Sequence, residues 1–208
     1  NLSRERLENR RELLSSIDRL RREADAAGAL AAADEYEQRA LELILGSAAE
    51  TFDLSKESDQ TRERYGDSKL GRGLLLARRL VENDVRFVEV TTSGWDHHNN
   101  IMDEMKNMGP MLDRALAALI TDLQHSGLLD ETLVVLTTEF GRQNHVSGNK
   151  GRDHGPGGYC QILAGGGVKP GLVYGKTAED AQGVKEKREK VSPDDFFVTM
   201  AYAMGLDY

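Results

Sequence analysis

The sequence predicts an α/β protein with a mainly parallel sheet. Three short runs at 85–93, 132–138 and 159–165, the first of them rich in β-branched residues, alternate with amphipathic helical segments. The run at 132–138, TLVVLTT, is almost continuously apolar, which is typical of a strand buried on both faces. Strands separated by helices are typical of β-α-β units, whose strands run parallel with a right-handed crossover. We therefore expect residues 67–208 to form one α/β sheet domain.

The first 66 residues predict a helical hairpin and a connector that pack on this domain. Apolar residues recur at helical spacing through LENRRELLSSIDRLRREAD, and Ser3 suits the N-cap of that helix. Gly28 separates it from a second helix in LAAADEYEQRALELILGS, where Gly46 suits a C-terminal cap. The segment 53–67 contains few apolar residues, so we expect a solvated connector with at most one or two helical turns.

The α/β part begins with a helix in GLLLARRLVEN, followed by the strand VRFVEVTTS. The next helix is expected over 110–126, because Pro110 suits a first helical turn and Gly127 suits the end of a helix. After the strand 132–138, a long loop leads to a third strand in YCQILAG. The last element is a helix in SPDDFFVTMAYAMG, with Ser192 as its N-cap.

Composition limits the classes of partner. The net charge of −8 and the lack of a basic stripe argue against nucleic acid. No apolar run approaches the length of a membrane span, and no signal peptide opens the chain. The single cysteine, Cys160, excludes an internal disulfide. Because the chain begins at Asn1, we expect a processed chain or a piece of a longer one.

Three polar motifs carry the functional prediction. WDHHNN follows the first predicted strand, TEFGR follows the second, and GRDHGPGG precedes the third. The carboxyl ends of parallel strands share one edge of a sheet, which is where open α/β sheets bind ligands. Asp96 and His98 are two residues apart and could reach one ion, and His154 and Glu139 could complete a site. Carboxylates and imidazoles suit zinc, manganese or iron. The alternative is a polar loop with Asx-turns and solvated histidines.

These blocks in fixed order resemble the carboxyl-terminal part of the DUF1501 proteins. The resemblance rests on GRGLLLARRLVENDVRFVEV, GWDHHNN, LDRALAALITDLQHSGLLDETLVVLTTEFGR, GRDHGPGGYCQILAGGGVKPGLVYG and SPDDFFVTMAYAMGLD, and the N-terminal helices extend it over nearly the whole chain. It implies membership of the alkaline phosphatase and sulfatase superfamily, a three-layer α/β/α sandwich, and metal-dependent hydrolysis of phosphate or sulfate esters. By position, Asp96 and His98 are similar to the first ligand pair of that superfamily, Glu139 to the acid of the second, and His154 to its lone histidine.

The same resemblance implies roles and partners. Glu139 would bind a second metal or orient water, and Arg142 or Arg152 would hold the ester oxyanion. Zinc is the first choice of metal, with manganese, iron or calcium as alternatives, and the substrate would be a small-molecule or saccharide ester. A cell-envelope or periplasmic location is favoured by the resemblance. Phe140 stands where the second pair would have its histidine, and the usual nucleophile region has no counterpart here. We therefore expect an incomplete hydrolase, with a non-catalytic metal- or ligand-binding scaffold as the alternative.

Overall fold

The computed structural model describes residues 48–179, 183, 185 and 190–207. The chain divides into two compact units, Asn1–Lys56 and Glu57–Tyr208. The predicted helical hairpin, with its caps Ser3, Gly28 and Gly46, lies outside the described residues. In the first unit, the described part consists of the short helix α1 (Ala48–Thr51) and a 3-10 helix at Leu54–Lys56.

The second unit begins with three helices, each introduced by a polar cap or a tight turn. They are α2 (Asp59–Tyr65), α3 (Lys69–Glu82) and α4 (Ile101–Ser126). The hydroxyls of Ser58 and Ser68 accept hydrogen bonds from the backbone N–H groups three residues on, at 3.0 and 2.9 Å, and so satisfy amides that have no partner within the first turn. The segment predicted as a solvated connector thus contains a regular helix, α2.

The core of this unit lies where α2 and α3 pack against α4. Tyr65, Leu75 and Leu123 are almost completely buried there. The Tyr65 hydroxyl donates to Asp122 at 3.1 Å, so its polar atom is satisfied inside the core. Burial, together with the neighbouring Asp122 carboxylate, raises the pKa of Tyr65 far above its ordinary value.

The prediction of a mainly parallel sheet, and with it the α/β/α sandwich, is wrong. The described residues form two small antiparallel pairs instead. Strand β1 (Leu133–Leu136) pairs with β4 (Ile162–Gly165), and β2 (Gly141–Arg142) pairs with β3 (His154–Gly155). The runs predicted at 132–138 and 159–165 do contain β1 and β4. These two strands run antiparallel rather than parallel, because the chain between them folds back on itself through β2 and β3 and does not cross over through a helix.

The strand predicted at 85–93 does not form. Its residues have no ladder partner among the described residues, and Phe87 is 68% exposed. Composition rich in β-branched residues favours an extended backbone, but a strand also needs a neighbour to accept and donate its hydrogen bonds. Without this strand, the expected β-α-β unit and its shared carboxyl edge do not exist.

Two helix predictions had different outcomes. The helix expected to begin at Pro110 begins at Ile101, and Pro110 lies inside it; the prediction of its end is confirmed, since Gly127 adopts the left-handed conformation at φ 79°. The last helix, α5 (Pro193–Ala203), begins as predicted, with the side chain of Ser192 at its N-cap. Among the described residues, no helix combines the length and apolarity that a bilayer crossing requires.

Candidate metal centre

The candidate site is built by pairing two loops that are distant in sequence. The segment after residue 96 runs alongside the segment 147–152. Arg152 N–H donates to the His97 carbonyl at 3.0 Å, and Ile101 N–H donates to the Lys150 carbonyl at 2.9 Å. Gly151 lies between these bonds, and a Cβ at that position would overlap the carbonyl group of His98. Only a glycine at position 151 allows this close approach. The approach brings Asp153 and His154 next to Asp96 and His98.

A second close contact places the other side of the site. In the pair β2–β3, Arg142 lies opposite His154 and Gly141 lies opposite Gly155. A Cβ on Gly155 would come within 2.8 Å of the Arg142 carbonyl carbon, so this position also requires a residue without a side chain. The short ladder therefore holds Arg142 and His154 beside each other.

Asp96, His98 and His154 converge at the point where these loops meet. The Asp96 Oδ1 atom lies 3.1 Å from His98 Nε2 and 3.0 Å from His154 Nε2. The two imidazole Nε2 atoms are 3.2 Å apart. In the described part of the chain, this is the one group of three acidic, histidine or cysteine side chains whose ligand atoms lie within 4.8 Å of one another.

The spacing of these three atoms fits a single small metal ion. Two ligand atoms about 2.0 Å from zinc and at the tetrahedral angle are about 3.3 Å from each other. All three observed separations, 3.0, 3.1 and 3.2 Å, are close to that value. Two imidazoles and one carboxylate are also a donor set that zinc uses with an open fourth position. The residues present therefore fit a divalent ion such as zinc.

The electrostatics of Asp96 keep it ionised. Its Oδ1 atom accepts hydrogen bonds from His154 Nε2 and from the Arg142 guanidinium, and Arg142 is held in turn by its bond to the Arg152 carbonyl at 3.0 Å. The hydrogen bonds from His154 and Arg142 lower the pKa of Asp96 to about 2. Asp96 is thus a carboxylate, the form that can bind a metal, across the physiological range.

Access to the cluster remains open. The side chains of Asp96, His98 and His154 keep 63%, 41% and 43% of their surface exposed. The ring of Phe140 covers part of His154, with the ring centroids 4.3 Å apart. Phe140 therefore forms one wall of the site. The family resemblance implied a second histidine ligand at this position. Solvent or a small solute can reach the three donor atoms from the exposed side.

The structure distributes the other predicted site residues differently. Glu139 is exposed and does not belong to the three-residue group, so its role as a further ligand or water-orienting residue stays a prediction. Arg142 contacts the cluster directly through Asp96. The side chain of Arg152 forms no ion pair within the described residues, and its Nε atom is buried without a hydrogen-bond partner. Its backbone, however, contacts both His97 and Arg142.

Sequence reasoning assigned no role to two further residues. Asp153 accepts a hydrogen bond from His98 Nδ1 at 2.9 Å, and its only signal in the sequence was its position next to His154. His97 is 8% exposed, with its Nε2 atom buried and unpartnered among the described residues, and its ring meets the edge of Trp95. Burial of His97 rather than His98 could not be read from the adjacent pair of histidines.

The fold and the site define a small helical and antiparallel protein with an exposed histidine–carboxylate cluster. Comparison with protein families assigns the chain further: it belongs to the family described as "Protein of unknown function (DUF1501)", whose model matches residues 1–208. Neither the curated proteins nor the solved structures contain a match to the chain.

Proposed function

We propose that Asp96, His98 and His154 bind one divalent metal ion, zinc in the first place, and that the protein uses it to hydrolyse phosphate or sulfate esters. The observation that supports this most directly is the set of three donor-to-donor separations, 3.0, 3.1 and 3.2 Å. Two separate loops supply this set of donor atoms, and with each imidazole protonated on Nδ1 all three atoms would offer lone pairs to a single ion.

The chain's own residues would divide the work as follows. A divalent ion in such a site supplies Lewis acidity, which makes water a nucleophile near neutral pH and polarises an ester oxygen. Asp96, His98 and His154 hold the ion on one side and leave the solvent side free for water and ester. Phe140 packs against the His154 ring, with the two ring planes tilted by 45°, and so restricts the orientation of that ring.

Arg152 is the better candidate for binding the ester oxyanion. Arg142 already pairs with Asp96, whereas the Arg152 side chain has no carboxylate partner among the described residues. The backbone N–H of Arg152 donates a hydrogen bond to the His97 carbonyl, so the Arg152 backbone lies next to the proposed ligand His98. A guanidinium offers paired N–H donors that match phosphate and sulfate oxygens.

Kinship with the alkaline phosphatase and sulfatase superfamily is part of the same proposal. It is supported by the order of the three ligands along the chain, an Asp and a His followed by a distant His. The choice of phosphate and sulfate esters as substrates follows from that kinship and from the guanidinium of Arg152, which has no carboxylate partner among the described residues.

Metal content is the first test. The native protein, purified without metal affinity, is analysed by mass spectrometry together with Asp96→Ala and His154→Ala, and with His125→Ala as a matched control. His125 is exposed near the end of α4 and is not in the cluster. We expect one zinc ion per chain in the native protein and in the control, and none in the other two variants. Equal metal content in all four proteins, or none after incubation with zinc, manganese and iron, would refute the site.

Turnover is tested on the zinc-loaded protein with p-nitrophenyl phosphate and p-nitrophenyl sulfate. We expect activity that Asp96→Ala abolishes and that Arg152→Ala reduces mainly through a higher KM, because Arg152 would bind the ester before and during reaction. Loaded protein that turns over neither ester would contradict the hydrolase proposal and leave the metal site intact.

The second candidate is a metal-binding protein without catalysis. It is favoured by one observation: no hydroxyl or thiol side chain among the described residues hydrogen bonds to the three ligands, so no protein nucleophile is prepared there. Stoichiometric zinc without turnover in the preceding assay is the result that this alternative predicts.

A further inference from the structure

One carboxylate outside the ligand set contacts the far side of a ligand. Asp153 Oδ1 lies 2.9 Å from His98 Nδ1, while Nε2 of the same ring faces Asp96 and His154. A neutral imidazole carries one N–H, and an ionised carboxylate can only accept a hydrogen bond. Both ring nitrogens of His98 face a carboxylate, but Asp153 is the nearer of the two, at 2.9 Å against 3.1 Å for Asp96, and Asp96 Oδ1 already accepts hydrogen bonds from Arg142 and His154. The proton of neutral His98 therefore belongs on Nδ1, which leaves the Nε2 lone pair directed at the place where the three donor atoms meet.

Asp153 is itself held by the backbone. Its carbonyl accepts a hydrogen bond from Gln143 N–H at 3.0 Å, one step beyond the β2–β3 pair. The next residue, His154, is a member of the cluster. One dipeptide thus provides a metal-ligating side chain and the partner that orients another, and the two cannot shift independently.

We propose that Asp153 is a positioning residue that fixes the tautomer and ring orientation of His98 for metal binding. This inference rests on the proposed metal site, which Asp153 serves without touching the ion. Carboxylates that hold a metal-ligating histidine through its second nitrogen are a recurring arrangement, and their loss lowers metal affinity by about 10- to 100-fold.

A purely structural ion pair would behave differently. The side chains of Asp153 and His98 are 54% and 41% exposed, and pairs with that exposure contribute little to stability. Removing the Asp153 carboxylate should therefore leave the free energy of unfolding nearly unchanged while it alters the His98 tautomer and the metal affinity. Those two readouts separate positioning from stabilisation.

The test compares Asp153→Ala and Asp153→Asn with the native chain. Asp103→Asn is the matched control, because Asp103 is an exposed acid on the first turn of α4 whose side chain accepts a hydrogen bond from Lys106. The tautomer of His98 is read from its ring ¹⁵N resonances in metal-free protein at about pH 9, where a free imidazole is neutral. Affinity is measured by cobalt(II) titration, followed by its visible absorption, with zinc as competitor.

We expect His98 to be protonated on Nδ1 in the native chain and in Asp103→Asn, and to shift toward the Nε2–H form in Asp153→Ala. Asp153→Asn keeps a neutral acceptor, so it should rescue the tautomer and part of the affinity. Cobalt(II) binding should weaken by about 10- to 100-fold in Asp153→Ala and remain unchanged in Asp103→Asn.

The outcomes distinguish the two levels of the proposal. An unchanged tautomer in folded Asp153→Ala would overturn the positioning role, and so would a native Nε2–H tautomer. The expected tautomer shift with no cobalt(II) or zinc bound to the native chain would support the orientation of His98 by Asp153 and refute the metal site. If Asp153→Ala fails to fold, as judged by circular dichroism, the test rests on Asp153→Asn. A cobalt(II) affinity that is reduced only in part in folded Asp153→Asn supports the role, and native affinity or a complete loss of affinity overturns it.

Discussion

Replacing Gly151 with alanine should open the candidate metal centre. The new methyl group would overlap the carbonyl carbon and oxygen of His98, well inside the 3.0 Å that real Cβ contacts respect. These are backbone atoms, so no side chain can turn aside to make room. The two paired segments must separate by on the order of 1 Å to accept the methyl group.

That separation has two measurable consequences. The bonds from Arg152 N–H to His97 and from Ile101 N–H to Lys150 are 3.0 and 2.9 Å long, and lengthening both by this amount takes them beyond hydrogen-bonding range. Together with the steric overlap, we expect a loss of about 1–3 kcal/mol in the free energy of unfolding. The distance between the ligands on the two segments would also exceed the span of one ion, so zinc binding should be lost.

The assay can use the single tryptophan as a local probe. Trp95 precedes the proposed ligand Asp96, and its fluorescence in urea follows unfolding of this part of the chain. Gly148→Ala is the matched control, because Gly148 lies in the same loop and a Cβ there has nothing within 4 Å. Gly151→Ala with the same urea midpoint and the same zinc affinity as Gly148→Ala would refute the close approach of the two loops.

Two further sites give predictions about stability. Asp122→Ala should lower the free energy of unfolding by about 3 kcal/mol. Asp122 is 8% exposed, and its loss leaves the nearly buried Arg78 without one of its acidic partners. Urea unfolding should show no such loss for Asp113→Ala, which removes an exposed acid from the same helix. Ser192→Ala should cost about 1 kcal/mol by removing the N-cap of α5. Hydrogen bonds from Ser192 lower the pKa of Asp195 below its unfolded value of about 3.9, so the part that the Asp195 carboxylate contributes is present above that pH and is lost as the pH falls through the lower folded pKa. The bond from Asp195 N–H to the Ser192 hydroxyl does not titrate, so urea midpoints of the native chain and Ser192→Ala should draw closer from pH 6 to pH 2 without coinciding; a constant difference would contradict the assignment.

The helices could be predicted because their signals are local. Ser192 followed by a proline and two acids marks the start of α5, and Gly127 marks the end of α4. The sequence does not reveal the start of α4, because Pro110 suits a first helical turn, whereas the chain is already helical from Ile101. A proline inside an exposed stretch of helix costs one hydrogen bond, and the long apolar face that follows it outweighs that cost.

The sheet could not be predicted, because strand direction is a property of partners far away in sequence. Residues 85–93 have the composition of a strand but no partner among the described residues, and β1 is paired by β4 from the opposite direction. Period and composition are identical for parallel and antiparallel strands of this length. The parallel crossover was predicted from the helix 110–126 between the runs 85–93 and 132–138. That prediction fails because the first of these runs does not form a strand.

Asp96, His98 and His154 lie together in the structure, although for a different reason than the one expected. They were grouped because they would follow parallel strands at one sheet edge. In the structure, Asp96 and His98 meet His154 through antiparallel pairing of loops that Gly151 and Gly155 allow to approach. The physical signal in the sequence was therefore the glycines next to the polar motifs, because only glycine lets the backbones of two loops come this close.

The charges of the cluster explain why a metal and an anionic ester would favour each other there. With both imidazoles neutral, the carboxylates of Asp96 and Asp153 offset the guanidiniums of Arg142 and Arg152, so the cluster offers an anionic ester no net attraction. A divalent ion would give the cluster two net positive charges and would compete with Arg142 for Asp96. Release of that guanidinium would add a second group able to bind the ester oxygens. The metal would then be required for substrate binding as well as for reaction, so ester affinity should rise with metal occupancy and the metal should bind more tightly when ester is present.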